Sequence, residues 1–212
     1  KYGPAGNVLW AQTYDAGDIA GGVSGNEIGY GVAVDSSGRI YVTGRQDHNQ
    51  DPNNSDIFLI RYDPDNGTRL GVTTRDNGRM DIGRGIDARV GFGGGVYVTG
   101  YQQNAGGDID MVLLKYRSTF ADGELPTNSV PFGTTATNES GYSVDVGADG
   151  SVFVTGYQGT DMFLRKYDTF LYPITSFGPT GSGGTVTYNS GGNNTDIGRG
   201  VAVRGSTVFV TG

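Results

Sequence analysis

Cysteine is absent from the 212-residue chain, which excludes disulfides and thiolate metal sites and leaves the fold indifferent to redox compartment. Lysine is nearly absent as well: Lys1, Lys115 and Lys166 join 12 Arg against 19 Asp and 3 Glu, for a formal charge of −7. Nucleic acid is held by clustered Lys and Arg, so it is not an expected partner. No run of about 18 apolar residues occurs, so no membrane-spanning helix is expected. Histidine and tryptophan are reduced to His48 and Trp10, and Ser–His–Asp catalysis would have to draw its base from one polar loop. No secretory leader is legible, as in a mature form or an excised piece.

What the chain has is glycine and order. Hydrophobic residues are only 35% of it, while 39 Gly and a heavy Asn, Asp, Ser and Thr load supply tight turns. The apolar residues fall in periodic runs that carry most of the 13 Tyr and 9 Phe, which argues against disorder. Val-Thr-Gly occurs four times, ending at Gly44, Gly100, Gly156 and Gly212, 56 residues apart each time. Each copy closes a longer phrase such as Gly29-Tyr-Gly-Val-Ala-Val-Asp-Ser-Ser-Gly-Arg-Ile-Tyr-Val-Thr-Gly44. A period of about 50 residues holding several short strands is the mark of propeller blades.

Within one unit, residues 31–35 and 39–43 read as a hairpin around Ser36-Ser-Gly38. A polar loop at 46–55 precedes a third strand, Asp56 to Tyr62, echoed at Asp110 to Tyr116 and Asp161 to Tyr167 as Asp-x-φ-Leu-x-basic-Tyr. Weaker fourth strands are expected over 69–75, 130–136 and 185–188. The fold class is thus all-β: a propeller of four-stranded antiparallel blades in about four units, forming a single domain. Whole blades are expected at 28–79, 81–138 and 139–194. Residues 1–17 and 196–212 would share a composite blade, with 7–14, including Trp10, as its outer strand. That composite lacks most of a third strand, which implies either a piece of a longer array or a strand donated by another chain.

The Lys1-Tyr-Gly-Pro-Ala-Gly-Asn-Val-Leu-Trp10 phrase, the Gly29 to Gly44 phrase and the repeated third strand resemble the SBBP beta-propeller repeat, and more distantly NHL-type propellers. The resemblance covers nearly the whole chain. It implies secreted or surface proteins of bacteria and archaea and a scaffold rather than a reaction, since it brings no catalytic motif to any residue here.

Several side chains invite a chemical reading, each beside a plainer one. Glu27, Asp81, Glu139 and Asp196 each stand two positions before the repeated glycine. Carboxylates set around an axis suit Ca²⁺, though loop amides need such acceptors too. Asp56, Asp110 and Asp161 read as turn caps. The loop 63–68 resembles a calcium loop but lacks the EF-hand spacing. His48 lies near Asp47 and Asp51, a sparse metal set beside the reading of a solvated loop. Asp87 and Asp145 occupy matching first-strand positions and are the best pair for a glycosidase or lyase. They have no Arg cluster or Trp platform to support them, and the turns at Asp35 and Asp149 lack the Trp of a sialidase Asp box. Tyr30, Arg84, Tyr142 and Arg199 alternate at one position and suit recognition at a channel mouth or stacking between blades. The sequons at Asn53, Asn66, Asn138 and Asn193 read as loop glycosylation sites.

The functional expectation is a non-catalytic extracellular or cell-surface module for structure, interaction or adhesion, assembling into polymers or filaments. Its partners would be copies of itself or the rest of a longer repeat chain, with glycan as a further ligand class. No cofactor is expected apart from Ca²⁺, in the reading of a calcium-stabilised adhesin. The carbohydrate-active enzyme using Asp87 and Asp145 is the alternative from another class.

Overall fold

The computed structural model describes residues 1–18, 25–49, 51–90, 93–134, 137–191 and 194–212. Its regular structure is antiparallel β, and among the described residues there is no α-helix, only a 3₁₀ turn at Ala16–Asp18. The first sheet is β1 (Glu27–Val34), β2 (Ile40–His48), β3 (Asp51–Tyr62) and β4 (Arg69–Arg75) in that order. The second is β5 (Asp81–Ala88), β6 (Val96–Gln103), β7 (Ile109–Tyr116) and β8 (Asn128–Phe132). The third is β9 (Glu139–Val146), β10 (Val152–Gln158), β11 (Asp161–Tyr167) and β12 (Thr185–Tyr188). A hairpin of β13 (Gly200–Arg204) and β14 (Thr207–Thr211) follows.

The sheets pack face to face in chain order, with β1 beside β5, β5 beside β9 and β9 beside β13. Alternation along each strand gives every sheet two apolar faces, so each face has to be covered by a neighbour. Tyr41, Ile57 and Leu59 of the first sheet meet Val96, Val98, Val112, Leu114 and Tyr116 of the second. The second sheet's other face, with Tyr97, Met111 and Leu113, meets Val144, Val154, Phe163 and Tyr167 of the third.

The Val-Thr-Gly signature follows from this packing. In each full sheet a register shift in the first strand inserts one extra residue opposite the signature, at Tyr30, Arg84 and Tyr142. Such a bulge kinks the strand, and the carbonyl before it presses onto the signature glycine. A Cβ on Gly44, Gly100 or Gly156 would lie 1.9, 1.8 or 1.8 Å from the carbonyl oxygen of Ile28, Ile82 or Ser140. The Thr hydroxyl points the other way: Thr43, Thr99 and Thr155 donate to the carbonyls of Phe58, Val112 and Phe163. Each then abuts a glycine of the following unit, Gly83, Gly141 and Gly198, where a Cβ would approach Oγ1 to 2.5, 2.0 and 2.0 Å. Val faces the core, Thr ties two strands and meets the next sheet, and Gly admits the bulge.

Three expectations are corrected. The polar segment 46–55 is largely strand, because β2 runs to His48 and pairs across a second bulge with a β3 that starts at Asp51. The third fourth-strand matches at 185–188, but the second is Asn128–Phe132, and the expected end at Ala136 lies outside the described residues. Residues 7–14 are not a strand, since their pairing is a single bridge from Val8 back to Tyr2 of the same segment rather than a ladder with a neighbouring strand. They still cover the first sheet, with Tyr14 on Phe58 at 5.1 Å between ring centroids and Trp10 on Tyr62 at 6.4 Å. Phe132 of β8 holds the same place on Phe163, at 5.7 Å.

Candidate functional site

The bulges aim one side chain per unit in a common direction, and these side chains form a stack. The Arg84 guanidinium lies 5.7 Å from the Tyr30 ring centroid and 4.5 Å from that of Tyr142, while Arg199 lies 5.5 Å from the far side of the series at Tyr142. Tyr101 adds a further ring to Arg84 at 5.5 Å, and Tyr157 packs on Tyr142 at 6.1 Å. The structure therefore brings together all four alternating residues, as a ladder of cation–π contacts running across every unit. Tyr30 is 44% exposed and Arg199 is exposed, so the ladder is also a surface. Tyr101 and Tyr157 were not legible as members, although both directly follow a Val-Thr-Gly; the first unit has Arg45 at that position.

The four carboxylates ahead of the repeated glycine do not converge. Glu27 accepts the Ala16 amide at 3.3 Å, Glu139 accepts the Thr134 amide and the Thr137 hydroxyl, and Asp196 accepts the Ser190 amide and hydroxyl at 2.7 and 2.8 Å. Each holds the loop entering its own unit. Asp81 differs: it is fully buried and neither carboxylate oxygen has a hydrogen-bond partner. Burial pushes its pKa up to about 7, with the nearby Asp56 and Asp76 adding to the rise and Arg75 opposing it.

Asp87 and Asp145 are bound to backbone. Asp87 accepts its neighbour Ala88 N–H at 2.8 Å and reaches into the next sheet to accept Val146 N–H at 3.0 Å. Asp145 repeats the arrangement with Val146 N–H at 2.8 Å and Val203 N–H at 2.5 Å. Burial raises the Asp87 pKa, and the Asp145 charge also raises it, against the two amide bonds. The carboxylates thus staple first strands to each other.

Of the three expected turn caps, Asp161 takes the Thr160 hydroxyl at 3.0 Å and the Asn189 amide at 2.6 Å, and Asp110 takes the Asn104 amide at 3.3 Å. Asp56 is instead buried inside the lengthened β3, with His48 Nε2 at 2.6 Å from its Oδ2. The partners of His48 are Asp56 and Asp76 rather than the expected Asp47 and Asp51. Loop 63–68 is a turn around the Asp63 carboxylate, which accepts the Asp65 and Asn66 amides.

Among the sequons, Asn66 and Asn138 are exposed and outside strands, whereas Asn53 is exposed but lies within β3. Asn193 lies outside the described residues.

The ends of the array carry uncovered apolar side chains at positions that are buried in the other units. In β1, Val32 and Val34 are 67% and 60% exposed, whereas their counterparts Val144 and Val146 are buried. Phe209 in β14 is 58% exposed, while its counterparts Tyr41, Tyr97 and Phe153 are buried. Between the first sheet and the 1–14 segment lies an apolar trough of about 470 Å³ lined by Val32, Val34, Val42, Ile60 and Trp10.

The SBBP family, described as a beta-propeller repeat, matches residues 20–49. The match supports an SBBP-type repeat in this stretch of the chain, and a repeat of this kind suggests a structural or interaction module. No curated protein matches the chain.

Proposed function

We propose that the chain is a non-catalytic β-propeller module of the cell surface or extracellular space, and that like units cover its two open sheet faces. Those units belong to a longer repeat chain or to neighbouring copies, and head-to-tail addition would then build closed propellers, polymers or filaments. One observation carries this reading. The open face of β1, with Val32 and Val34, is the surface that the following units bury against a preceding Tyr41 or Tyr97, and Phe209 offers that same preceding surface uncovered. Uncovered apolar faces of this kind mark association sites, and repeat units gain stability from each neighbour interface. The backbone-bound state of Asp87 and Asp145 supports a holding role for them rather than an acid–base one. Exposed sequons at Asn53, Asn66 and Asn138 fit a life outside the cell.

Sedimentation of the protein over a concentration series tests the proposal. Association is expected for the parent chain, and is expected to be lost in Val32→Glu and in Phe209→Glu, with unchanged far-UV circular dichroism. A parent chain that stays monomeric throughout, or association indifferent to both changes, would overturn it.

A further inference from the structure

We propose that the corner where β2, β3 and the segment after β4 meet is a binding site for a zinc-like divalent cation, ligated by His48 Nε2 and the carboxylates of Asp56 and Asp76. The donor atoms of these three residues all lie within 4.8 Å of one another. A tetrahedral ion with ligands at about 2.1 Å needs donors about 3.4 Å apart, so small side-chain rotations suffice. His48 Nε2 and Asp56 Oδ2 are already 2.6 Å apart and would open around the ion.

The elements supply the site for local reasons. The bulge between Asp47 and His48 turns the end of β2 so that His48 sits over β3. Asp56 pairs with Gln46 in that ladder, and Asp76 immediately follows β4. Asp76 is exposed and gives solvent access, while Asp56 is only 3% exposed and forms the floor.

A second observation points to a cation at this corner. Asp56 Oδ1 is buried with no hydrogen-bond partner, and behind it Asp81, fully buried, has neither oxygen partnered. The bridge between Ser55 and Met80, and the Ser55 hydroxyl on the Asp81 carbonyl at 3.2 Å, place Asp81 beside this cluster. Buried carboxylate oxygens without donors are costly; Asp56 Oδ1 and both Asp81 oxygens are of this kind, with Arg75 as the cation acting on Asp81. A divalent ion satisfies the two ligand carboxylates directly and the third through the field it sets up. One imidazole and two carboxylates suit Zn²⁺-like ions better than Ca²⁺, which prefers six or more oxygens. The other three units carry no histidine, so the site belongs to the first unit alone.

The test is calorimetric titration of the full chain, stripped with chelator, with Zn²⁺ alone and, separately, Ca²⁺. A single saturable Zn²⁺ site per chain is expected, with a raised melting temperature and no comparable Ca²⁺ binding. His48→Gln and the exposed Asp76→Asn should each weaken Zn²⁺ binding more than tenfold while keeping the parent circular dichroism; outer-shell Asp81→Asn should weaken it about tenfold. Absence of Zn²⁺ binding, tighter Ca²⁺ binding, or Zn²⁺ binding unchanged in Asp76→Asn would each overturn the proposal.

Discussion

Asp35 shows how much a single turn residue holds. Burial alone would raise its pKa, but Ser37 Oγ, Tyr41 OH and the amides of Ser37 and Arg39 all donate to it and keep the carboxyl below its ordinary 3.8. The same Tyr41 hydroxyl oxygen also lies 2.8 Å from the Ser118 carbonyl oxygen of the next unit, so its one proton is shared between the turn and the first seam between sheets. Because the folded value is depressed, this contribution is complete above about pH 3.8 and is lost as pH falls through the folded value. Asp35→Asn should cost about 1–3 kcal/mol at neutral pH. Denaturant titrations should show that cost shrinking in acid, since the parent loses the charge there. At the signature glycines the argument is steric. Gly100→Ala should cost about 1–3 kcal/mol or more by forcing the bulge carbonyl aside, measurable as a lowered denaturation midpoint at unchanged slope.

At the scale of the element, the bulged first strand is the unit's distinguishing part. Its alternating Tyr and Arg were legible as one position in each repeat, and stacking between blades was one of the two readings they allowed; the bulge that aims them was not legible, since no single-strand pattern announces it. The strand positions at 69–75, 161–167 and 185–188 were legible because alternation and turn residues bound them on both sides. The 46–55 segment was not, since Asp51-Pro-Asn-Asn-Ser55 has loop chemistry and is drawn into β3 only by pairing with the end of β2. That pairing is also why His48 meets Asp56 rather than its sequence neighbours. Arg84→Ala should cost about 1–2 kcal/mol, and a double-mutant cycle with Tyr142→Leu should return a coupling of the same sign. Asp145→Ala frees the Val203 amide and should cost about 1–3 kcal/mol; hydrogen exchange at that amide reports it directly.

Across the whole molecule, stability is a matter of covered faces. The second and third sheets shield each other and the first sheet shields one side of the second, whereas β1 and the β13–β14 hairpin keep apolar residues in water. Amides of β13 and β14 should therefore exchange with solvent before those of β6, β7 and β10, because local opening exposes the least-covered elements first. Covering either end with another unit should slow that exchange, an outcome mass spectrometry can follow.

The seams are fastened in different places. Asp87 and Asp145 latch the second and third seams at the first strands, but the first seam has Ala33 at that position. There the connection between β7 and β8 grips β4 instead, with Asp122 on the Val72 amide, Gly123 on the Val72 carbonyl and Thr73 on Glu124. The second seam has both fastenings, since Asn128 of β8 donates to the Phe170 carbonyl and Lys115 of β7 to the Thr169 carbonyl; under mechanical load the first joint would gape from its β1–β5 edge, the third from its far edge, and the middle joint would flex least.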